Sequence, residues 1–146
     1  MKNNVVFLDI DGVLNQCQPN CYIDSLCLKV LIKICKKTES KIVLSSSWRV
    51  GFSNFGECSK EIQRLRDMLN EHGVEIIGRT SKLGNRNEEI QEYIKAHNVE
   101  NYLIIDDDIH EFGNVRPDNL LLTNYKSGLT WNDYRIACNI FWEIYD

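Results

Sequence analysis

The chain has 146 residues, which suits a single domain spanning residues 1–146. Hydrophobic residues make up 43%, charged residues 26% and Pro only 2 positions, which excludes a disordered or collagen-like chain. A net charge of −4 excludes a generally basic nucleic-acid coat protein but leaves room for a local basic groove.

In chain order, Val5–Ile10 is a short apolar run interrupted by Asp9, the pattern of a strand buried on both faces. Met1-Lys2-Asn3-Asn4 leads straight into it with no secretion signal, and no apolar run approaches the ~18–20 residues that span a bilayer. The expected location is therefore cytoplasmic, with no membrane association. Asp24 to Lys37 places Ile23, Cys27, Val30, Leu31 and Ile34 on one face and Lys29, Lys33, Lys36 and Lys37 on the other, an amphipathic helix. Ile42–Leu44 reads as a second strand, ending in Ser45-Ser46-Ser47. Ser59 to His72 reads as a helix stopped by Gly73, and Val74–Ile77 as a third strand.

Asn85, with Glu88 three residues on, opens a helix whose inner face is Ile90, Tyr93 and Ile94. Tyr102–Ile105 is a fourth strand, ending in Asp106-Asp107-Asp108, and Leu120–Leu122 a fifth. Thr130 with Asp133 opens a last helix that buries Tyr134, Ala137, Cys138 and Phe141. Strands alternating with helices predict an α/β fold: three Rossmann-like layers around a central parallel sheet of about five strands. Cys17, Cys21, Cys27, Cys35, Cys58 and Cys138 are expected to be free thiols in a reducing cytoplasm, and Cys17 and Cys21 lack the second ligand pair that a finger-like metal site needs.

In such folds ligands bind beyond the carboxyl ends of the strands. There Asp9 and Asp11 stand two apart, which period-two geometry puts on the same side of an extended segment, and the fourth strand delivers Asp106 to Asp108. Carboxylates in an apolar setting need a neutralising cation, and a hard, oxygen-ligated divalent ion, Mg²⁺ best of all, fits this set. Ser45, Ser46 and Ser47 offer hydroxyls, and Arg49 and Arg86 offer fixed positive charge, Arg86 at the start of a helix. The combination suits a highly charged oxyanion, with phosphate the obvious candidate.

These residues resemble a family. Val5 to Leu14 resembles the first motif of the haloacid dehalogenase-like phosphohydrolases, Lys41–Ser46 the second, and Tyr102–Asp107 the fourth. Ser46-Ser47-Trp48-Arg49, Gly78-Arg79-Thr80 and Gly128-Leu129-Thr130 are similar to small members associated with RNA-repair proteins. The resemblance implies a phosphomonoesterase in which Asp9 attacks phosphorus and Asp11 is the acid and base. It implies Mg²⁺ held by Asp9, the backbone carbonyl of Asp11, and Asp106 or Asp107. Ser45, or Ser46 if the strand runs one residue longer, would bind a phosphoryl oxygen. The family's third motif is usually a Lys just before a helix; Arg86 takes that place here, with Lys82 the alternative.

Neither the segment from Asp11 to Ser45 nor that from Gly78 to Arg86 is long enough for a sizeable cap domain. A capless site suits a phosphate on a large molecule, such as an RNA or DNA end. Arg49, Arg79, Lys82 and Arg86 lie in segments without acids, and Trp48, Phe52 and Phe55 serve either as core packing or as stacking faces for bases. His72, His97 and His110 fit no ligand or nucleophile pattern. Two alternatives stand beside the phosphatase reading: a catalytically weak phosphate- or nucleic-acid-binding module of the same fold, and a small nucleotidase or protein phosphatase.

Overall fold

Short apolar runs and amphipathic segments alternate along the chain as the sequence predicts. The structure is a computed structural model, and it describes residues 3–15, 23–45, 59–113 and 116–145. Within these lie β1 (Asn4–Leu8), α1 (Ser25–Thr38), β2 (Lys41–Leu44), α2 (Lys60–Asn70), β3 (Ile76–Arg79), α3 (Arg86–His97), β4 (Asn101–Asp106), a 3-10 turn (Ile109–Phe112), β5 (Leu120–Leu122) and α4 (Trp131–Tyr145).

The five strands form one sheet in the order β3-β2-β1-β4-β5, every pair parallel. The chain winds outward from β1 to β3, then returns to the other side of β1 for β4. The order therefore reverses between β1 and β4, and in open α/β sheets the carboxyl edge at such a reversal is where ligands bind.

Alternation along β1 divides the core. Val6 and Leu8 join Ile42, Leu44, Leu103 and Ile105 against Leu31 and Ile34 of α1, Leu65 and Leu69 of α2, and Ala137 of α4. Val5 and Phe7 join Val43 and Ile104 against Ile90 and Tyr93 of α3 and Phe112 of the 3-10 turn. One face of the sheet thus carries α1, α2 and α4, and the other carries α3. All of β1 is buried, which is why its sequence is a continuous apolar run rather than an alternating one.

The helix ends follow local chemistry. Asp24 accepts from the amides of Leu26 and Cys27, Ser59 from Ile62, and Asn85 from Glu88, each satisfying first-turn donors. At α4 the cap is reciprocal: Thr130 accepts from the Asp133 amide at 3.2 Å, and the Asp133 carboxylate accepts from the Thr130 amide at 2.9 Å. Gly73 ends the α2 segment with φ +74°, as its sequence position predicts.

Two boundaries differ from the sequence reading. β1 ends at Leu8, and Asp11 to Leu14 form a turn, so Asp9 and Asp11 do not share an extended segment. β3 starts two residues later than predicted, because Val74 closes the preceding turn by donating its amide to Leu69. Among the described residues no helix is long and apolar enough to cross a membrane.

Candidate active site

The carboxyl rim of the sheet is a row of polar residues, each one step past the end of its strand ladder. The amide of Asp9 donates to Ile105 at 3.0 Å, that of Ser45 to Leu8 at 2.9 Å, that of Thr80 to Leu44 at 3.0 Å, and that of Thr123 to Asp106 at 2.9 Å. Parallel register therefore sets Asp9 between Ser45 on one side and Asp106 on the other. Position along the chain and position across the sheet are fixed by the same ladder.

Asp9, Asp106 and Asp107 each offer a carboxylate oxygen, and these oxygens lie within 4.8 Å of one another. Asp9 is 6% exposed and Asp106 fully buried. Burial, then the neighbouring charge of Asp106, pushes Asp9 up to about 9, with Arg86 opposing. Burial likewise raises Asp106, again against the pull of Arg86. Gly12 makes the convergence possible. Its φ of +81° suits glycine, and a Cβ there would collide with the Asp107 carboxylate.

Arg86, the first residue of α3, supplies the positive charge. Its Nη1 lies 2.7 Å from Asp106 and 3.7 Å from Asp9, and its Nη2 lies 4.0 Å from Glu111. Burial works against the charged guanidinium, but Asp106, Asp9 and Glu111 outweigh it and hold Arg86 above its ordinary value. With all three carboxylates ionised, the single guanidinium would leave an excess of two negative charges, a state that burial disfavours until a cation is bound. Hard oxygen donors in that number, with that excess, fit a small dication such as Mg²⁺.

Asp11 stands outside this trio of side chains. Its Oδ1 accepts from Asn15 Nδ2 at 3.0 Å, while Asn15 Oδ1 accepts from the Gly12 amide at 2.9 Å. On the opposite side the Thr123 hydroxyl donates to the Gly12 carbonyl at 2.8 Å. The Leu129 amide donates to the Val13 carbonyl at 2.8 Å, and a Cβ on Gly128 would come within 2.8 Å of that same carbonyl oxygen. The Gly128-Leu129 step thus clasps the turn that carries Asp11.

The predicted site residues are distributed as follows. Asp9, Asp106, Asp107 and Arg86 converge, and Ser45 is fully buried at the end of β2 beside Asp9. Lys82 is exposed, in the loop whose Leu83 and Gly84 amides donate to the buried Glu89 carboxylate. Ser46, Arg49, Trp48, Phe52 and Phe55 lie outside the described residues, as do Cys17, Cys21 and Cys58. Asp108 serves the 3-10 turn instead, accepting from the His110 amide at 2.9 Å. The sequence reading missed Asn15, Thr123, Glu89 and Glu111. Only Asn15 carried a signal, as a polar residue closing an otherwise apolar turn after Gly12.

Cys27, Cys35 and Cys138 are free thiols. Burial pushes Cys27 up to about 11 and Cys35 up to about 12, so neither is a ready nucleophile.

Residues 5–134 match a family model described as the HAD domain in Swiss Army Knife RNA repair proteins. Among curated proteins none matches the sequence.

Proposed function

The chain belongs to the family of HAD domains in Swiss Army Knife RNA repair proteins, and from that premise we propose that it is a Mg²⁺-dependent phosphomonoesterase with Asp9 as nucleophile. One observation carries the reading: the carboxylates of Asp9, Asp106 and Asp107 meet within 4.8 Å at the carboxyl ends of β1 and β4. Asp9, Asp106 and Asp107 would hold Mg²⁺ there, together with the Asp11 carbonyl that the family pattern adds. Bound in that place, the ion supplies the positive charge that keeps Asp9 ionised and draws in a phosphate dianion.

The chain's own groups perform the remaining tasks. An Asp9 oxygen forms a bond to phosphorus as the bond from phosphorus to the leaving oxygen breaks, and Asp11 gives its proton to that oxygen. A water then attacks phosphorus, Asp11 takes its proton, and the Asp9–phosphorus bond breaks to release phosphate. Arg86 holds the carboxylates in place and balances charge on the transferring group. Ser45, at the end of β2, is the donor proposed for a phosphoryl oxygen, with Ser46 as its neighbour in that role. Lys82 and Arg49 are proposed as outer contacts to the substrate.

The substrate proposed is a phosphate at an RNA or DNA end. The family's association with RNA repair and the absence of a cap among the described residues support it. A reducing, cytoplasmic setting accords with the free thiols. The test is hydrolysis of 3′- and 5′-phosphorylated oligonucleotides against free nucleotides, with Mg²⁺, with EDTA, and after Asp9→Asn. Turnover should need Mg²⁺, favour the oligonucleotides, and fall by about 10³-fold or more in Asp9→Asn. Undiminished turnover in Asp9→Asn would overturn the covalent mechanism, and equal rates on free nucleotides would overturn the proposed substrate.

A further inference from the structure

Asn15 is 3% exposed, and both ends of its side-chain amide are engaged on the turn that carries Asp11. Its Oδ1 takes the Gly12 amide hydrogen at 2.9 Å and its Nδ2 donates to Asp11 Oδ1 at 3.0 Å. These two bonds fix which way the amide faces, because the flipped form would set two oxygens against each other at Asp11 and two donors at Gly12. The turn beneath cannot drift either. Val13 and Leu14 both donate to Ile10, Thr123 holds the Gly12 carbonyl at 2.8 Å, and the close approach of Gly128 backs the carbonyls of Val13 and Asn15.

We propose that Asn15 is the positioning residue for the acid–base carboxylate. By donating to Asp11 Oδ1 it fixes the plane of the carboxyl group and directs the transferable proton to Oδ2, since an oxygen already accepting an N–H bond is the poorer proton site. This rests on the reading of Asp11 given above. In the first half-reaction the proton on Oδ2 passes to the departing oxygen as Asp9 bonds to phosphorus. In the second, the attacking water returns a proton to the same oxygen as the Asp9–phosphorus bond breaks. A carboxyl group free to rotate would spend part of its time facing away from both.

Asn15→Asp is the sharpest probe, since it keeps the acceptor for the Gly12 amide and replaces only the donor facing Asp11. The loss should depend on the leaving group. An alkyl phosphate needs a proton on its departing oxygen, whereas a nitrophenolate departs without one. In Asn15→Asp, kcat/KM should fall about 10- to 100-fold for an alkyl phosphate and no more than about threefold for p-nitrophenyl phosphate. A burst of nitrophenolate, one per enzyme, should also appear, because the phosphorylated Asp9 then waits for its water to be deprotonated. Asn15→Ala, which adds no charge, should show the same pattern. Equal losses on the two esters with no burst, in either variant that folds, would overturn the inference and leave the reading of Asp9 standing. A wild type inactive on both esters and on phosphorylated oligonucleotides would remove that reading, and this inference with it.

Discussion

Arg86 Nη1 lies 2.7 Å from Asp106 Oδ2, and this contact ties the first turn of α3 to the end of β4. Asp106 has no exposed surface, so its charge relies on protein partners rather than on water. The arrangement makes Arg86 a structural counter-ion, and the phosphate-facing role proposed for it separates from that one in experiment.

Removing Arg86 strands a buried carboxylate. Arg86→Ala should lower the stability of the metal-free protein by about 3 kcal/mol, the range found when one partner of a buried ion pair is lost. Arg86→Lys should recover part of that, since Lys carries the charge but not the planar fork that reaches Asp106, Asp9 and Glu111 together. Urea denaturation in EDTA measures both losses. Repeating it with Mg²⁺ should shrink the difference, because the dication then shares the counter-ion role.

Acid should stabilise the metal-free fold. Asp9 is raised from 3.8 to about 9, chiefly by burial, so between these values the folded state binds a proton that the unfolded state has released. Its contribution is therefore fully present below about pH 4 and is lost as pH rises through about 9. Asp106, also raised, adds in the same direction. Thermal melts in EDTA should show this component of stability declining across that window, and saturating Mg²⁺ should flatten the decline. Because the ion must displace those protons, its apparent affinity should rise with pH over the same range, as calorimetric titration can show.

Gly12→Ala should damage metal binding more than folding. The position has φ +81° and faces the Asp107 carboxylate, so a methyl group there strains the turn and pushes that carboxylate away. Backbone incompatibility of this kind costs roughly 1 kcal/mol or more. If Asp107 is a ligand as proposed, displacing its carboxylate should weaken Mg²⁺ or Mn²⁺ by about tenfold or more, on the scale seen for disturbed metal sites. Calorimetry on the folded variant separates the two effects; unchanged affinity would remove Asp107 from the donor set.

What the sequence revealed and what it hid divide along a physical line. β1 and β4 were legible because strands buried on both faces must be apolar throughout, which makes Asp9 and Asp106 conspicuous at their ends. The parallel register that brings those two together follows from strand–helix alternation, so the rim was legible too. β3 was misplaced because Val74 is as apolar as a strand residue, yet its amide closes the turn after α2, and Gly78 and Arg79 enter the strand in spite of their types. The place of Asp11 was misjudged because the extended geometry stops at Leu8, and no periodicity announces a turn at Asp11 to Leu14. Asn15 and Thr123 stayed hidden for a related reason. Asn15 acts through two side-chain hydrogen bonds, to Gly12 and Asp11, and Thr123 through one, which reaches the turn from 111 positions away.

Thr123 offers the closing test of how far the clasp on the Asp11 turn matters. Its hydroxyl is the donor to the Gly12 carbonyl at 2.8 Å, and the residue is 5% exposed. Thr123→Val keeps the shape and deletes that donor, leaving a buried carbonyl with one partner fewer. The cost should be about 1–2 kcal/mol, the penalty for an unmet buried hydrogen bond rather than the small net value of a satisfied one. Because β5 and β4 remain paired through the Thr123 amide, the sheet should persist and circular dichroism should be unchanged. Turnover should fall for alkyl phosphates and nitrophenyl phosphate alike, since a loosened Gly12 disturbs Asp107 together with Asp11. That uniform loss contrasts with the leaving-group-dependent loss expected at Asn15, so comparing the two variants distinguishes holding the turn from aiming the proton.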